Sequence, residues 1–390
     1  MLKGRYLTNS VLEDLREKMV FIGGPRQVGK TTFARKILSP HFKKSAYFNW
    51  DNRPDRRRIM SSEWPGDAEI LLFDEIHKYG KWKSILKGEY DNLKEKYKFL
   101  VTGSGRMDVF RRGGDSLQGR YHYYRMHPFT LPELINKNLS VKLLDEPEFN
   151  DKFYESEFKN LMKFGGFPEP LFKQSEKVLR RWQNEKIERL FREDIRDTGQ
   201  VRDLNSMKVM SDMLPDRVGS PLSVNSMRED LEVSHRAVSS WLDILESHYY
   251  CFRIFPFTGN VIRSIKKRPK VYLWDWSEVS EDGKKFENLI ASHLLKWSHF
   301  IYDSEGYNIG LFYLRDSEKR EVDFVVTMNM KPWIAVEVKL NKKEVSSSLY
   351  YYKKKLNIPY VYQVVADEEV DILKNGIRII SASRFLSSLI

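Results

Sequence analysis

Short apolar runs alternate with amphipathic stretches through the first hundred residues. Met19-Val20-Phe21-Ile22, Ala46-Tyr47-Phe48-Asn49-Trp50, Glu69-Ile70-Leu71-Leu72-Phe73 and Lys98-Phe99-Leu100-Val101 read as four short buried strands. Leu7, Val11, Leu12 and Leu15 recur at helical spacing ahead of the first of them. Helices are predicted over 30–38 and 81–96. Apolar strands alternating with helices indicate a parallel sheet covered on both faces.

The pattern then changes. From about 134 to 205 the chain is helical and heavily charged, with Leu179, Trp182, Ile187, Leu190, Phe191 and Ile195 on one stripe. Residues 206–257 read as short helices followed by an aromatic strand. The basic stretch 263–270, with Pro269, suits a linker. Beyond it helix and strand signals mix again. No internal repeat and no low-complexity tract is present.

Gly24-Pro25-Arg26-Gln27-Val28-Gly29-Lys30-Thr31 matches G-x-x-x-x-G-K-[ST] between a predicted strand and a predicted helix. The glycines let backbone N–H groups converge on phosphate oxygens, and the helix N-terminus adds partial positive charge. Lys30 is expected to reach the β- and γ-phosphates of ATP and Thr31 to ligate Mg²⁺, whereas Thr32 reads as structural. Ile70 to Phe73 lead into Asp74 and Glu75. Asp74 is placed to hold the Mg²⁺ shell and Glu75 to polarise the attacking water. Val101-Thr102-Gly103-Ser104 ends the fourth strand, so Ser104 is a candidate to orient water or read the γ-phosphate. Arg120 has two readings, an arginine finger in cis or in trans, or a plain surface residue; Arg111 and Arg112 are weaker candidates.

GPRQVGKTT, LLFDEIHKYGKWKSILKGEYD, VTGSG, the LQGR-to-HPFTLPEL segment and GGFPEP follow one another in this order. With them the sequence resembles the prokaryotic AAA-type ATPases whose C-terminal half is a domain of unknown function containing a nuclease-like fold. The resemblance covers nearly the whole chain. It departs at Gly105, where the pattern has a second Ser.

Ser226 to Leu231 read as a short helix, Glu232 to Ser234 as a turn with Ser234 as N-cap, and the next helix carries Val238, Trp241, Leu242 and Leu245 on one face. A strand over 249–256 follows. This helix-turn-helix and wing looks like the winged helix of such family members. His235 and Arg236 then face a DNA groove, or the module packs on a protein surface.

Further on, Glu321 to Val326 and Ile334 to Lys339 read as strands joined by a short turn. Glu337 and Lys339, two apart, share a face, and Asp323 lies on the adjacent strand. Glu287 opens an amphipathic helix upstream. Glu, then Asp, then Glu-x-Lys resembles the PD-(D/E)XK nuclease core. That resemblance implies that Glu287, Asp323 and Glu337 hold Mg²⁺ while Lys339 positions the nucleophile. The competing reading is a surface salt bridge.

Composition adds bounds. The 390 residues are 41% hydrophobic, enough for two to four domains, and carry a net charge of +12, which favours polyanionic partners. One cysteine, Cys251, excludes an internal disulfide framework and a Cys-based zinc site. No signal-peptide region and no membrane-length apolar run is read, so a cytoplasmic setting without membrane contact is expected.

The reading is α/β throughout. It places an αβα P-loop NTPase (AAA-like) domain over 1–135, a helical linker over 136–205, a winged helix over 206–262 and a restriction-endonuclease-like domain over 263–390. The expected function is a Mg²⁺-dependent ATPase acting on nucleic acid, DNA first, through the nuclease-like domain. The alternative is a nucleotide-dependent switch for protein partners with an inactive nuclease-like domain. A homo-oligomer is open in either case. Arg263, Lys266, Lys267, Arg268 and Lys270 are phosphate-contact candidates or a solvated linker.

Overall fold

The computed structural model describes residues 4–105, 117–136, 143–196, 201–265, 267–341 and 344–390. Arg111, Arg112 and Lys266 lie outside these. The chain forms two compact units, Met1–His127 and Pro128–Ile390.

The first unit is built on β1 (Met19–Gly23), β2 (Ser45–Asn49), β3 (Ile70–Asp74), β4 (Lys98–Gly103) and β5 (Tyr121–Arg125), in the order β2-β3-β4-β1-β5. Every pairing is parallel. β1 and β3 are buried along their whole length, as their unbroken apolar runs require. The leading helix, Thr8–Asp14, buries Val11, and Leu7 and Leu15 at its ends are also buried. The helix after β1 runs Lys30–Thr32 and continues in wider π-type turns over Phe33–Leu38. Trp82–Leu93 forms the helix predicted over 81–96 and buries Trp82, Leu86 and Tyr90. β5 is an addition to the sequence reading.

The second unit begins with helices, including Glu155–Phe164 and Glu176–Arg189, the latter extended in π-type turns to Ile195. Three further helices follow, Leu204–Met213, Val224–Asp230 and His235–Ser247. Ser234 caps the last of these by accepting from Ala237 N at 3.1 Å. Val238, Trp241, Leu242 and Leu245 are buried beneath it, and His235 and Arg236 are exposed.

An eight-stranded mixed sheet completes the unit. Its strands are β6 (Cys251–Pro256), β7 (Lys270–Leu273), β8 (Ile309–Arg315), β9 (Glu321–Met328), β10 (Lys331–Lys339), β11 (Tyr360–Val365), β12 (Asp371–Lys374) and β13 (Ile377–Ser381), ordered β12-β13-β11-β10-β9-β8-β6-β7. β6 and β7 form an antiparallel pair, and β6 also runs parallel to β8 at Phe255 and Pro256. Position 262 thus falls between two paired strands of one sheet. The helix Asp282–Glu305 packs against β7 to β10, and Ser347–Leu356 packs against β9 and β10. Among the described residues no helix is long and apolar enough to cross a membrane.

Charges are buried at the start of this unit. The Lys296 ammonium, fully withdrawn from solvent, meets the Glu133 carboxylate and donates to Thr130 Oγ1 at 2.8 Å and to Pro128 O at 3.2 Å. Thr130 in turn donates to Ile390 O at 2.9 Å, tying the start of the unit to the end of the chain. Glu133→Ala strands the ammonium and is expected to destabilise the protein by about 3–5 kcal/mol. Urea unfolding measures this, and a loss below about 1 kcal/mol contradicts the arrangement.

Candidate functional site

In a parallel sheet, ligands gather at the carboxyl ends of the strands. The loop after β1 emerges there, beside the end of β4, because Gly23 pairs with Gly103. A Cβ on Gly24 would lie 2.4 Å from Met126 O, so the loop's tight path against the chain after β5 requires glycine. Gly29 has φ 101° and caps the helix that starts at Lys30. Between them, Pro25 and Val28 are buried, Arg26 is half-buried and Gln27 is exposed in the left-handed region at φ 60°.

Lys30 Nζ donates to Gly24 O at 2.9 Å and Pro25 O at 2.7 Å, so its ammonium lies within the loop's own curve. Thr31 Oγ1 donates to Asp74 Oδ2 at 2.7 Å. Thr32 is exposed. Asp74 ends β3 between Asn49 and Thr102 in register. Its other donors are Thr102 Oγ1 at 2.6 Å and Tyr47 OH at 2.8 Å. Burial, then the Asp74 charge, raises the Tyr47 phenol above its usual range, so it stays a donor.

Glu75 follows in the left-handed region at φ 57°, a strained backbone for a non-glycine residue. Ser104 Oγ donates to its Oε2 at 3.2 Å, and His77 Nε2 lies 3.6 Å from the same oxygen. Burial lowers the His77 pKa and favours the neutral ring. Lys30, Thr31, Asp74, Glu75 and Ser104 therefore meet at one end of the sheet.

Arg120 is a correction. It precedes Tyr121, which pairs with Met19 at the start of β1, so about 13 Å of strand separates it from the phosphate loop. Its guanidinium forms a two-pronged contact with Asp91, Nε to Oδ1 at 2.7 Å and Nη2 to Oδ2 at 3.0 Å. It does not serve its own chain's loop.

In the first unit three residues escaped the sequence reading. Tyr47 and His77 sit inside runs whose apolar periodicity hides a polar tip. Arg5 is buried and holds the loop from outside, Nη1 donating to Val28 O at 2.8 Å and Nη2 to His127 O at 2.5 Å.

The second unit brings Glu287, Asp323, Glu337 and Lys339 into one cluster. Asp323 Oδ2 accepts from Val338 N at 2.9 Å, which links β9 to β10 beside Glu337. Lys339 Nζ lies 2.7 Å from Glu337 Oε1. Glu337 Oε2 is buried without a hydrogen-bond partner. Burial, then the Asp323 charge, pushes the carboxyls of Glu287 and Glu337 up to about 7.

Lys270 is the unexpected member. Instead of lining an exposed linker it is 1% exposed at the start of β7. Its Nζ lies 2.7 Å from Glu321 Oε1, 3.2 Å from Glu287 Oε1 and 3.4 Å from Asp323 Oδ1. Tyr272, two residues on and so on the same face, donates to Glu287 Oε1 at 2.7 Å. Among the described residues no three Asp, Glu, His or Cys side chains stand as a metal-ligand set. Glu287, Asp323 and Glu337, expected to ligate Mg²⁺, do not fit it in this arrangement, because an ammonium already occupies the oxygens of two of them.

A cavity of about 450 Å³ lies between one side of His235–Ser247, from His235 to Asp243, and Ile265, Lys267, Arg268 and Pro269. Arg263, Lys267 and Arg268 are exposed.

Residues 16–135 match the sequence family described as an AAA domain. Residues 155–279 and 282–385 match two domains of unknown function, DUF8612 and DUF4143. Two uncharacterized proteins of Methanocaldococcus jannaschii are 25% and 23% identical, over 86% and 85% of this chain and 78% and 77% of theirs. Among solved structures, the Aeropyrum pernix ORC1 protein in complex with DNA is similar at 14% identity and a TM-score of 0.33, over 75% of this chain and 93% of that one. The AAA-domain match takes in the whole parallel sheet of the first unit.

Arg5→Met removes charged donors from one phosphate-loop carbonyl, Val28 O, and from His127 O after β5, and is expected to cost the first unit about 3 kcal/mol. Thermal unfolding with and without a nucleotide checks this, and an unchanged midpoint contradicts it.

Proposed function

We propose that this chain hydrolyses ATP with Mg²⁺ in its first unit and uses the nucleotide cycle to act on nucleic acid through its second. The observation that carries the reading is the meeting of Lys30, Thr31, Asp74, Glu75 and Ser104 at one end of a parallel sheet.

The donor set there fits Mg²⁺. Thr31 Oγ1 and Asp74 Oδ2 are adjacent hard oxygens, 2.7 Å apart. Bound there, Mg²⁺ would offset charge on the β- and γ-phosphates. Lys30, leaving its two loop carbonyls, would pair with those phosphates. Backbone N–H groups of the loop from Arg26 to Thr31 would hold the phosphate oxygens at the helix N-terminus. Glu75 would accept a proton from the attacking water, and Ser104 fixes the carboxylate for that task. Of the two finger readings for Arg120, only the one toward a second copy's nucleotide is compatible with its position, and the surface reading fits its pairing with Asp91.

The nucleic-acid part rests on charge and exposure. The net charge is +12, and His235, Arg236, Arg263, Lys267 and Arg268 are exposed around the helix-turn-helix. A winged-helix reading of residues 206–262 uses this surface for phosphate contacts. One observation favours the second reading, a nucleotide-dependent switch for protein partners with an inactive nuclease-like domain: the Lys270 ammonium among the acids.

Two measurements test these readings. Lys30→Ala should reduce ATP turnover to background while the fold is kept; turnover at the parent rate would end the P-loop assignment. Binding to labelled double- and single-stranded DNA should weaken steeply from 50 to 200 mM salt, by about tenfold or more for a few phosphate contacts. No binding at 50 mM salt sinks the nucleic-acid reading and leaves the switch.

A further inference from the structure

We infer that Lys270 is the resident cation of the acid cluster in the second unit, which is therefore held together without a divalent metal. The inference does not depend on ATP hydrolysis in the first unit.

An ammonium has three N–H donors. Lys270 Nζ has three carboxylates around it, Glu321 at 2.7 Å, Glu287 at 3.2 Å and Asp323 at 3.4 Å. These come from the helix Asp282–Glu305 and from β9, so the one side chain joins two elements to β7. The second oxygens of Asp323 and Glu321 have donors of their own, and Glu287 Oε1 takes a second donor besides the lysine. Asp323 Oδ2 accepts from Val338 N, Glu321 Oε2 from Arg315 Nη1 at 2.6 Å, and Tyr272 OH shares Glu287 Oε1 with the lysine. Mg²⁺ needs near-octahedral oxygens at about 2.0–2.1 Å. It would have to displace the lysine to reach Glu287 and Asp323 together.

The lysine is not on a mobile arm. Ile254 of β6 pairs with it on one side. On the other, Pro221 pairs with Lys270 and Val218 with Val271, and Leu222 N donates to Pro269 O at 2.7 Å. Gly219 closes the neighbouring wall, since a Cβ there would meet Glu287 Oε2 at 2.8 Å. Backbone is thus paired on both edges of β7 at the point where the ammonium enters the acids. The cluster keeps the acids and lysine of a nuclease-like centre, with its cation supplied covalently by the chain.

The test is a Mn²⁺ titration of the full, nucleotide-free chain, read by the loss of the free-ion paramagnetic signal and by thermal unfolding. Parent protein and Asp323→Asn should bind Mn²⁺ alike. Lys270→Met should gain one saturable site and a midpoint rise of roughly 5 °C at Mn²⁺ about 100-fold above its Kd. Asp323→Asn added to Lys270→Met should remove both. A saturable site in the parent that Asp323→Asn abolishes overturns the inference. A folded Lys270→Met that gains no site overturns it as well. If Lys270→Met does not fold, the comparison of parent with Asp323→Asn decides alone.

Discussion

A carboxylate withdrawn from water must be met by donors or by a cation, and both units are organised around that requirement. The first unit answers with hydroxyls. Asp74 accepts from Thr31, Tyr47 and Thr102, which come from the helix after the phosphate loop and from the strands on either side of β3. The second unit answers with ammonium groups. Lys296 meets Glu133, Lys186 meets Asp275 and Glu278, and Lys270 meets three acids at once. The difference has chemical weight. Hydroxyls satisfy lone pairs but leave the negative charge in place, so an acid held by them still attracts a divalent ion. An ammonium offsets one unit of charge and fills the position a metal ion would take among the oxygens, so the attraction for a divalent ion is weakened.

Much of the first unit was legible because its signals are local. Four apolar runs became β1 to β4, and the phosphate loop occupies the turn that its spacing demands. β5 was not legible. Tyr121-His122-Tyr123-Tyr124-Arg125 has only Tyr124 buried, and its aromatic rings blur the alternation of a strand. Arg120 shows the limit of motif order without register. Its place after the fourth strand suggested the nucleotide, yet parallel pairing with β1 sends it to the far end of the sheet.

In the second unit the sequence located Glu287, Asp323, Glu337 and Lys339 on the right kinds of element, since the Val- and Ile-rich runs of β9 and β10 mark buried strands, with alternation clear only over residues 321–324. It missed Lys270 for a physical reason. Pro269 and the surrounding bases imitate a solvated connection, and the acids that bury the lysine lie 17 to 53 residues further on. Nothing local distinguishes a lysine bound for solvent from one bound for a distant carboxylate.

The pairing of β6 with both β7 and β8 limits how this chain can be divided or inherited. The helix His235–Ser247 packs on β6, and β6 carries the backbone ladder opposite Lys270. A fragment beginning after β6 would leave β8 as a bare edge open to foreign strands and would strip β7 of its sheet partner. The helical surface and the acid-bearing sheet therefore form one hereditary block. A recombination event between them would have to bring both or lose both.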